Sequence, residues 1–333
     1  MGVFPQNGQV VQQSEMDAVA ARYARFAASE APGRSEVYRQ WAAGVATDAD
    51  VQALLARIPG NRRQPPLVFA VTRLLGSGEP GFPAWRAWVL DHADEVVAEC
   101  GRRSLQSNEP LRCAALLPAL SRIPGPIALL EIGASAGLCL YPDRYSYRYV
   151  GASGDAEVRL DRVDGPSPVE LVCEVRGTLP ELALPEVVWR AGIDLNPLDP
   201  TVPDTAAWLT RLVWPGETGR AERITAALAV AAADPPLLVA GDAVELLPDV
   251  AATAPADATL VVTTPGVLAH IPWDGRRRVI AAARRAGRWV TIDDPGLHDG
   301  WNAPIDAWPG GFAVALDGDV VAAADPLGAW LRF

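Results

Sequence analysis

From Pro126 onward the chain repeats one pattern: a short apolar run that closes on an acid or a glycine turn, then a helical segment. IALLEI (127–132), EVVWRAGIDL (186–195), PLLVAGDAVELL (236–247), ATLVVTTPGVLAHI (258–271) and RWVTIDD (288–294) supply the runs. A strand that is apolar on both sides must be buried on both faces, and helices between such strands impose crossover connections. The pattern therefore predicts an α/β fold, a mostly parallel sheet with helices on its faces. The tail FAVALDGDVVAAAD alternates instead, and turns at Asp317-Gly318, which predicts a C-terminal antiparallel hairpin.

Ahead of Pro126 there is no convincing strand. EMDAVAARYARFAASE, SEVYRQWAAGV, DADVQALLARI, PPLVFAVTRLL, FPAWRAWVLDHADEVVAECGRR and EPLRCAALLPALSRI carry apolar residues at helical spacing, punctuated by Pro32-Gly33 and Pro59-Gly60. Residues 1–125 are expected to form an all-helical cap domain and residues 126–333 the sheet domain. The segment 144–185 breaks the alternation: RYSYRYVG, AEVRLD and VELVCEVRG look like short strands inserted between the first and second core strands. They are expected to form either a small antiparallel flap or an extension of the sheet.

Composition removes several kinds of chemistry. All 29 basic residues are arginine, so Schiff-base formation, a pyridoxal-phosphate anchor and a phosphate-binding P-loop lysine are excluded. Acid–base work falls to three histidines, to carboxylates or to tyrosines. The net charge of −11 argues against nucleic acid and anionic membranes as partners, and Arg276-Arg277-Arg278 with Arg284, Arg285 and Arg288 reads as a solvated helix face. Cys100, Cys113, Cys139 and Cys173 lack metal-ligand spacing and read as reduced apolar residues; no metal site is expected. There is no run of eighteen apolar residues, and the N-terminal stretch has no signal-peptide pattern, so a cytoplasmic protein is expected.

GASAG (133–137) admits two readings. As G-x-S-x-G it is a nucleophile elbow with Ser135 as the attacking oxygen, completed by Asp242 or Asp293 and by His298. That arrangement normally follows several strands and precedes a long helix; here the upstream region is helical, and Pro142 follows within a turn or two. As E-x-G-x-S-x-G after a strand, it is a turn that lets a nucleotide-like ligand approach the backbone. Glu131, Gly133, Ser135 and Gly137 then bind the tail of a donor such as S-adenosylmethionine. Asp194 accepts its ribose hydroxyls and Asp242 receives its adenine. Acceptor-side residues follow the fourth core strand: Thr264, Trp273, and His270 as a candidate general base. Helical front, strand–helix core and terminal hairpin together are what a Rossmann-like class I methyltransferase sheet predicts.

LLEIGASAGLCLYPDRYSYRYV, WRAGIDLNPLDP with LVWPGETGRAERI, and LVAGDAVELLP resemble the bacterial family called domain of unknown function 2332, common in actinobacteria. The likeness runs from about residue 20 to the C-terminus, and the family in turn resembles class I methyltransferases. It implies a fold and a ligand site at Glu131, Gly133, Gly137 and Asp194, and it supplies no substrate. Two departures from the methyltransferase pattern stand out. Gly133 and Asp194 are about three times farther apart than the usual ~20 residues, and TTPG stands where a base-methylating tetrad would. The expected function is S-adenosylmethionine-dependent methyl transfer to a small molecule. The alternatives are a degenerate methyltransferase-like binding or scaffold protein and, third, a serine hydrolase.

Overall fold

The computed structural model describes residues 7–106, 108–154, 156–298, 301 and 310–333. By contacts the chain separates into two compact units, one running to Gln106 and including Ala206–Ala221, the other made of Ser107–Thr205 and Glu222–Phe333.

The first unit contains α1 (Asn7–Arg25), α2 (Glu36–Val45), α3 (Ala49–Ala56), α4 (Pro65–Leu75), α5 (Phe82–Asp91), α6 (Ala93–Arg102) and most of α8 (Pro203–Arg211). Its helix starts follow from sequence. Ser35 and Asp48 accept hydrogen bonds from Tyr38 N and Val51 N, and prolines open α4 and α5, where a missing N–H costs nothing. Its core is aromatic: Trp41 and Trp85 stack with centroids 5.1 Å apart, and Phe69 meets Tyr23, Tyr38 and Trp41. Trp214, just beyond α8, closes this cluster against Phe26 and Tyr38. The tryptophans are thus packing residues.

The second unit is built on one eleven-stranded, mostly parallel sheet. In chain order the strands are β1 (Pro126–Ile132), β2 (Ser146–Gly151), β3 (Glu157–Leu160), β4 (Glu170–Arg176), β5 (Glu186–Asp194), β6 (Leu237–Ala240), β7 (Thr259–Pro265), β8 (Arg288–Asp293), β9 (Phe312–Leu316), β10 (Asp319–Ala324) and β11 (Trp330–Arg332). The spatial order is β3-β2-β4-β11-β10-β9-β8-β7-β1-β5-β6. The five apolar runs read from sequence are the parallel block β6-β5-β1-β7-β8, and the tail is the antiparallel pair β9–β10. The inserted segment extends the sheet: β2 pairs with β3 and β4, and β11 joins β4 to β10.

Helices α7 (Arg112–Leu120), α9 (Arg220–Ala233), α10 (Ala243–Ala251) and α11 (Trp273–Ala286) accompany the sheet. Leu130, Ile132, Ile193, Val262 and Trp289 project from one face into a core with Leu247 and Val250 of α10 and Val279 and Ala283 of α11. The wholly buried α7 packs against β4, β8, β9 and β10. Among the described residues no helix is long and apolar enough to cross a membrane. All four cysteines are buried and unbridged.

Candidate active site

Chain order reverses between β1 and β7: β5 and β6 continue on one side of β1, and β7 and β8 return on the other. A reversal of this kind leaves a crevice outside the carboxyl ends of the strands. Glu131 is the penultimate residue of β1 and is only 4% exposed. Its register partner on β7 is Thr263, 1% exposed, so their side chains lie next to each other on one sheet face. Neither Glu131 Oε2 nor Thr263 Oγ1 has a hydrogen-bond partner among the described residues. Burial pushes the Glu131 carboxyl well above the ordinary carboxylate range; Cys139 and Asp194 add to the shift and the Arg112 guanidinium opposes it.

The turn after β1 carries left-handed backbone at alternate positions, Gly133 (φ 77°), Ser135 (φ 51°) and Gly137 (φ 75°). Such alternation turns successive N–H groups inward as an acceptor-seeking concavity. Here side chains of the same unit answer it. Ser135 N donates to Asp194 Oδ2 at 2.9 Å, and Ala136 N donates to Asn108 Oδ1 at 3.0 Å. Asp194 Oδ1 accepts from Asn196 N at 2.8 Å, so one carboxylate ties the β1 turn to the β5 turn. Ser135, a non-glycine residue at positive φ, has its Oγ buried as an acceptor for Asn108 Nδ2. Asn108 brackets the turn from both sides.

The glycines serve close packing. A Cβ on Gly133 would stand 2.5 Å from Val267 Cγ2, and one on Gly137 would meet Pro236 and Leu140 at 3.0 and 3.1 Å. On β5, a Cβ at Gly192 would stand 2.4 Å from Ala134 Cβ. The turn is therefore pressed onto the neighbouring strand ends.

Arg112, at the start of α7, is buried beneath the carboxyl end of β7. It donates from Nη1 to Pro265 O at 2.9 Å and from Nε to Pro326 O at 3.0 Å, and Gly266 leaves room for its Nη2. At the end of β8, Asp293 accepts from Thr291 Oγ1 and lies 3.7 Å from His298 Nε2. Burial raises its pKa, opposed by the nearby His298 imidazole and the Thr291 hydroxyl. Among the described residues Asp293 Oδ1 and His298 Nε2 have no hydrogen-bond partner, and the imidazole stacks on Trp301 at 3.8 Å.

The remaining candidates scatter. Asp242 is exposed and caps α10, accepting from Val244 N at 2.7 Å. Thr264 is wholly buried, donating to Thr291 Oγ1 and accepting from Trp289 Nε1. His270 is exposed in the turn after β7, and its ring makes no hydrogen bond among the described residues. Trp273 is 44% exposed at the start of α11, under the Arg276 guanidinium. The structure thus gathers Glu131, Gly133, Ser135, Gly137 and Asp194, and adds Asn108, Arg112 and Asp293 to Thr263. Sequence reasoning missed Asn108 and Arg112, which lie before and at the start of the otherwise apolar helix α7. Among the described residues no three His, Cys, Asp or Glu side chains gather as a metal-holding group.

No curated protein and no solved structure matches the chain. The model of one family does match, over residues 20–333: the chain belongs to domain of unknown function family 2332, described as an uncharacterized protein conserved in bacteria.

Proposed function

We propose that the protein binds S-adenosylmethionine at the carboxyl ends of β1 and β5 and transfers its methyl group to a small molecule. The observation that carries this reading is the pair of buried, unpartnered oxygens, Glu131 Oε2 and Thr263 Oγ1, at the reversal between β1 and β7. Unsatisfied buried polar atoms are costly, so two side by side favour a ligand that brings donors to them. The donor's ammonium group suits Glu131. The core order β6-β5-β1-β7-β8, third-second-first-fourth-fifth in core-strand sequence, supports a Rossmann-like methyltransferase sheet.

S-adenosylmethionine supplies a sulfonium-activated methyl group, so the protein's own work is binding, orientation and exclusion of water. Glu131 takes the ammonium and Thr263 a neighbouring polar atom. Asp194 is half-buried and keeps lone pairs beyond its two backbone bonds for ribose hydroxyls. Asp242 keeps one carboxylate oxygen beyond its helix cap for the adenine amino group. His270, exposed after β7, is the candidate to take a proton from an oxygen or nitrogen acceptor.

The degenerate scaffold reading draws on a different observation: Val267, Pro236 and Leu140 occupy the space that the loop glycines leave. Titration calorimetry with S-adenosylmethionine and S-adenosylhomocysteine separates the two. Saturable binding that is lost in Asp194→Ala supports the donor site; no heat at millimolar donor favours the scaffold.

A further inference from the structure

A groove of about 560 Å³ runs between α10 and α11, lined by Val244, Asp274, Arg277, Arg278, Ala281 and Arg285. Asp274, Arg278, Ala281 and Arg285 recur at helical spacing and share one face of α11. The three arginines are exposed and form no ion pair among the described residues. Many other guanidinium groups are matched to carboxylates, as in Arg22–Glu30, Arg86–Asp48, Arg190–Asp143 and Arg223–Glu109. What sets these three apart is that they converge on one groove, in a chain of net charge −11.

Their position on the helix sharpens the point. Arg285 lies in the last turn of α11, where a cation complements the helix dipole. Arg277 and Arg278 lie in the N-terminal half, where the dipole disfavours cations and adjacent like charges repel. Their neighbour Arg276 has an internal role, donating to Leu268 O and Ile271 O at 3.0 and 3.2 Å and stacking on Trp273. Arg277 and Arg278 have none.

The lining also limits what fits. A volume of this size suits a small ligand. Val244 and Ala281 give it an apolar floor, and Asp274 offers an acceptor to hydroxyl groups while repelling a continuous polyanion. We infer that the α10–α11 groove binds a pyrophosphate-bearing small molecule of the nucleoside diphosphate type, with the phosphates across Arg277, Arg278 and Arg285 and a sugar hydroxyl at Asp274. The inference is independent of the methyl-transfer reading.

The test is calorimetric titration of the full chain with ADP, inorganic pyrophosphate and adenosine at low and high salt. ADP and pyrophosphate should bind saturably, more weakly as salt rises, and adenosine should not. Arg278→Gln/Arg285→Gln should lower both affinities by about tenfold or more, given the strength of charge-assisted hydrogen bonds, with an unchanged melting temperature because both sites are exposed. Asp274→Asn should weaken ADP while sparing pyrophosphate. The inference is overturned by no heat from ADP or pyrophosphate at millimolar concentration. Equal binding by Arg277→Gln/Arg278→Gln/Arg285→Gln, or a single-stranded oligonucleotide binding more tightly than ADP, overturns it as well.

Discussion

Glu131 and Thr263 are register partners across the β1–β7 boundary, each with a buried oxygen that no described residue hydrogen-bonds. In the free protein the neutral form of Glu131 is favoured by burial. Binding a donor through an ammonium group would reverse that preference and expel a proton. Calorimetry of S-adenosylmethionine in two buffers of different ionisation enthalpy should therefore register proton release above the ordinary carboxylate range and below the raised pKa of the free carboxyl. Glu131→Gln should bind the donor at least about tenfold more weakly, the cost of one charge-assisted contact, and release no proton. Equal proton counts in both proteins would remove Glu131 from the site.

The same carboxyl governs stability against pH. Its folded pKa lies above the unfolded value, so the folded state holds more protons once pH exceeds the ordinary range near 4.5. The stability present below that range is lost as pH rises through the raised pKa, at most about 1.4 kcal/mol per pH unit for one proton. Asp293, raised by its own burial, acts in the same direction. Melting temperature should fall with rising pH across this window, less steeply in Glu131→Gln.

Asp194 holds two turns at once, through Ser135 N and Asn196 N. Asp194→Ala strands both N–H groups, and a loss of about 2 kcal/mol is expected in urea unfolding. Asp194→Asn, which keeps one acceptor oxygen, should lose less. A neutral result in Asp194→Ala would mean that the β1 turn is held by Asn108 alone.

Ser135 has a positive φ, as a nucleophile elbow would, but its Oγ is buried against Asn108. A fluorophosphonate probe is expected to leave the wild-type protein unlabelled. Labelling that disappears in Ser135→Ala would establish the hydrolase reading instead.

Gly192→Ala tests the close packing directly. Its new Cβ would overlap Ala134 Cβ and press on Leu238, so the β1 turn must lift from β5. Overpacking of this kind costs about 1–3 kcal/mol. Donor affinity should fall with stability, and a variant that melts like the wild type would refute the packing account.

How much of this was legible in the sequence depended on how local the cause was. The apolar runs are strands because continuous apolar character suits a sheet buried on both faces, and β1, β5, β6, β7 and β8 form where those runs stand. Pro142 likewise marks why the segment after GASAG makes only a 3₁₀ turn, Leu138–Leu140. Asn108 and Arg112 could not be found this way. Each acts on residues distant in sequence, Ser135 and Pro265, and only the placement of α7 brings them there. The insertion left two arrangements open because its own alternation suits both. The decision lay in Trp330–Arg332, a run too short to read as a strand.

Those three residues act as the seam of the sheet. Among the described residues β11 is the one strand that joins β2, β3 and β4 to the rest of the sheet, parallel to β4 and antiparallel to β10. Phe333 N donates to Arg176 O, and the Arg176 guanidinium lies over the Trp330 ring. During synthesis β2–β4 are made well before β11, and their edge must wait for it to arrive. Until then that edge is open to pairing with other chains. The order of translation, rather than the energy of the finished sheet, thus sets when this protein is most vulnerable to misassembly.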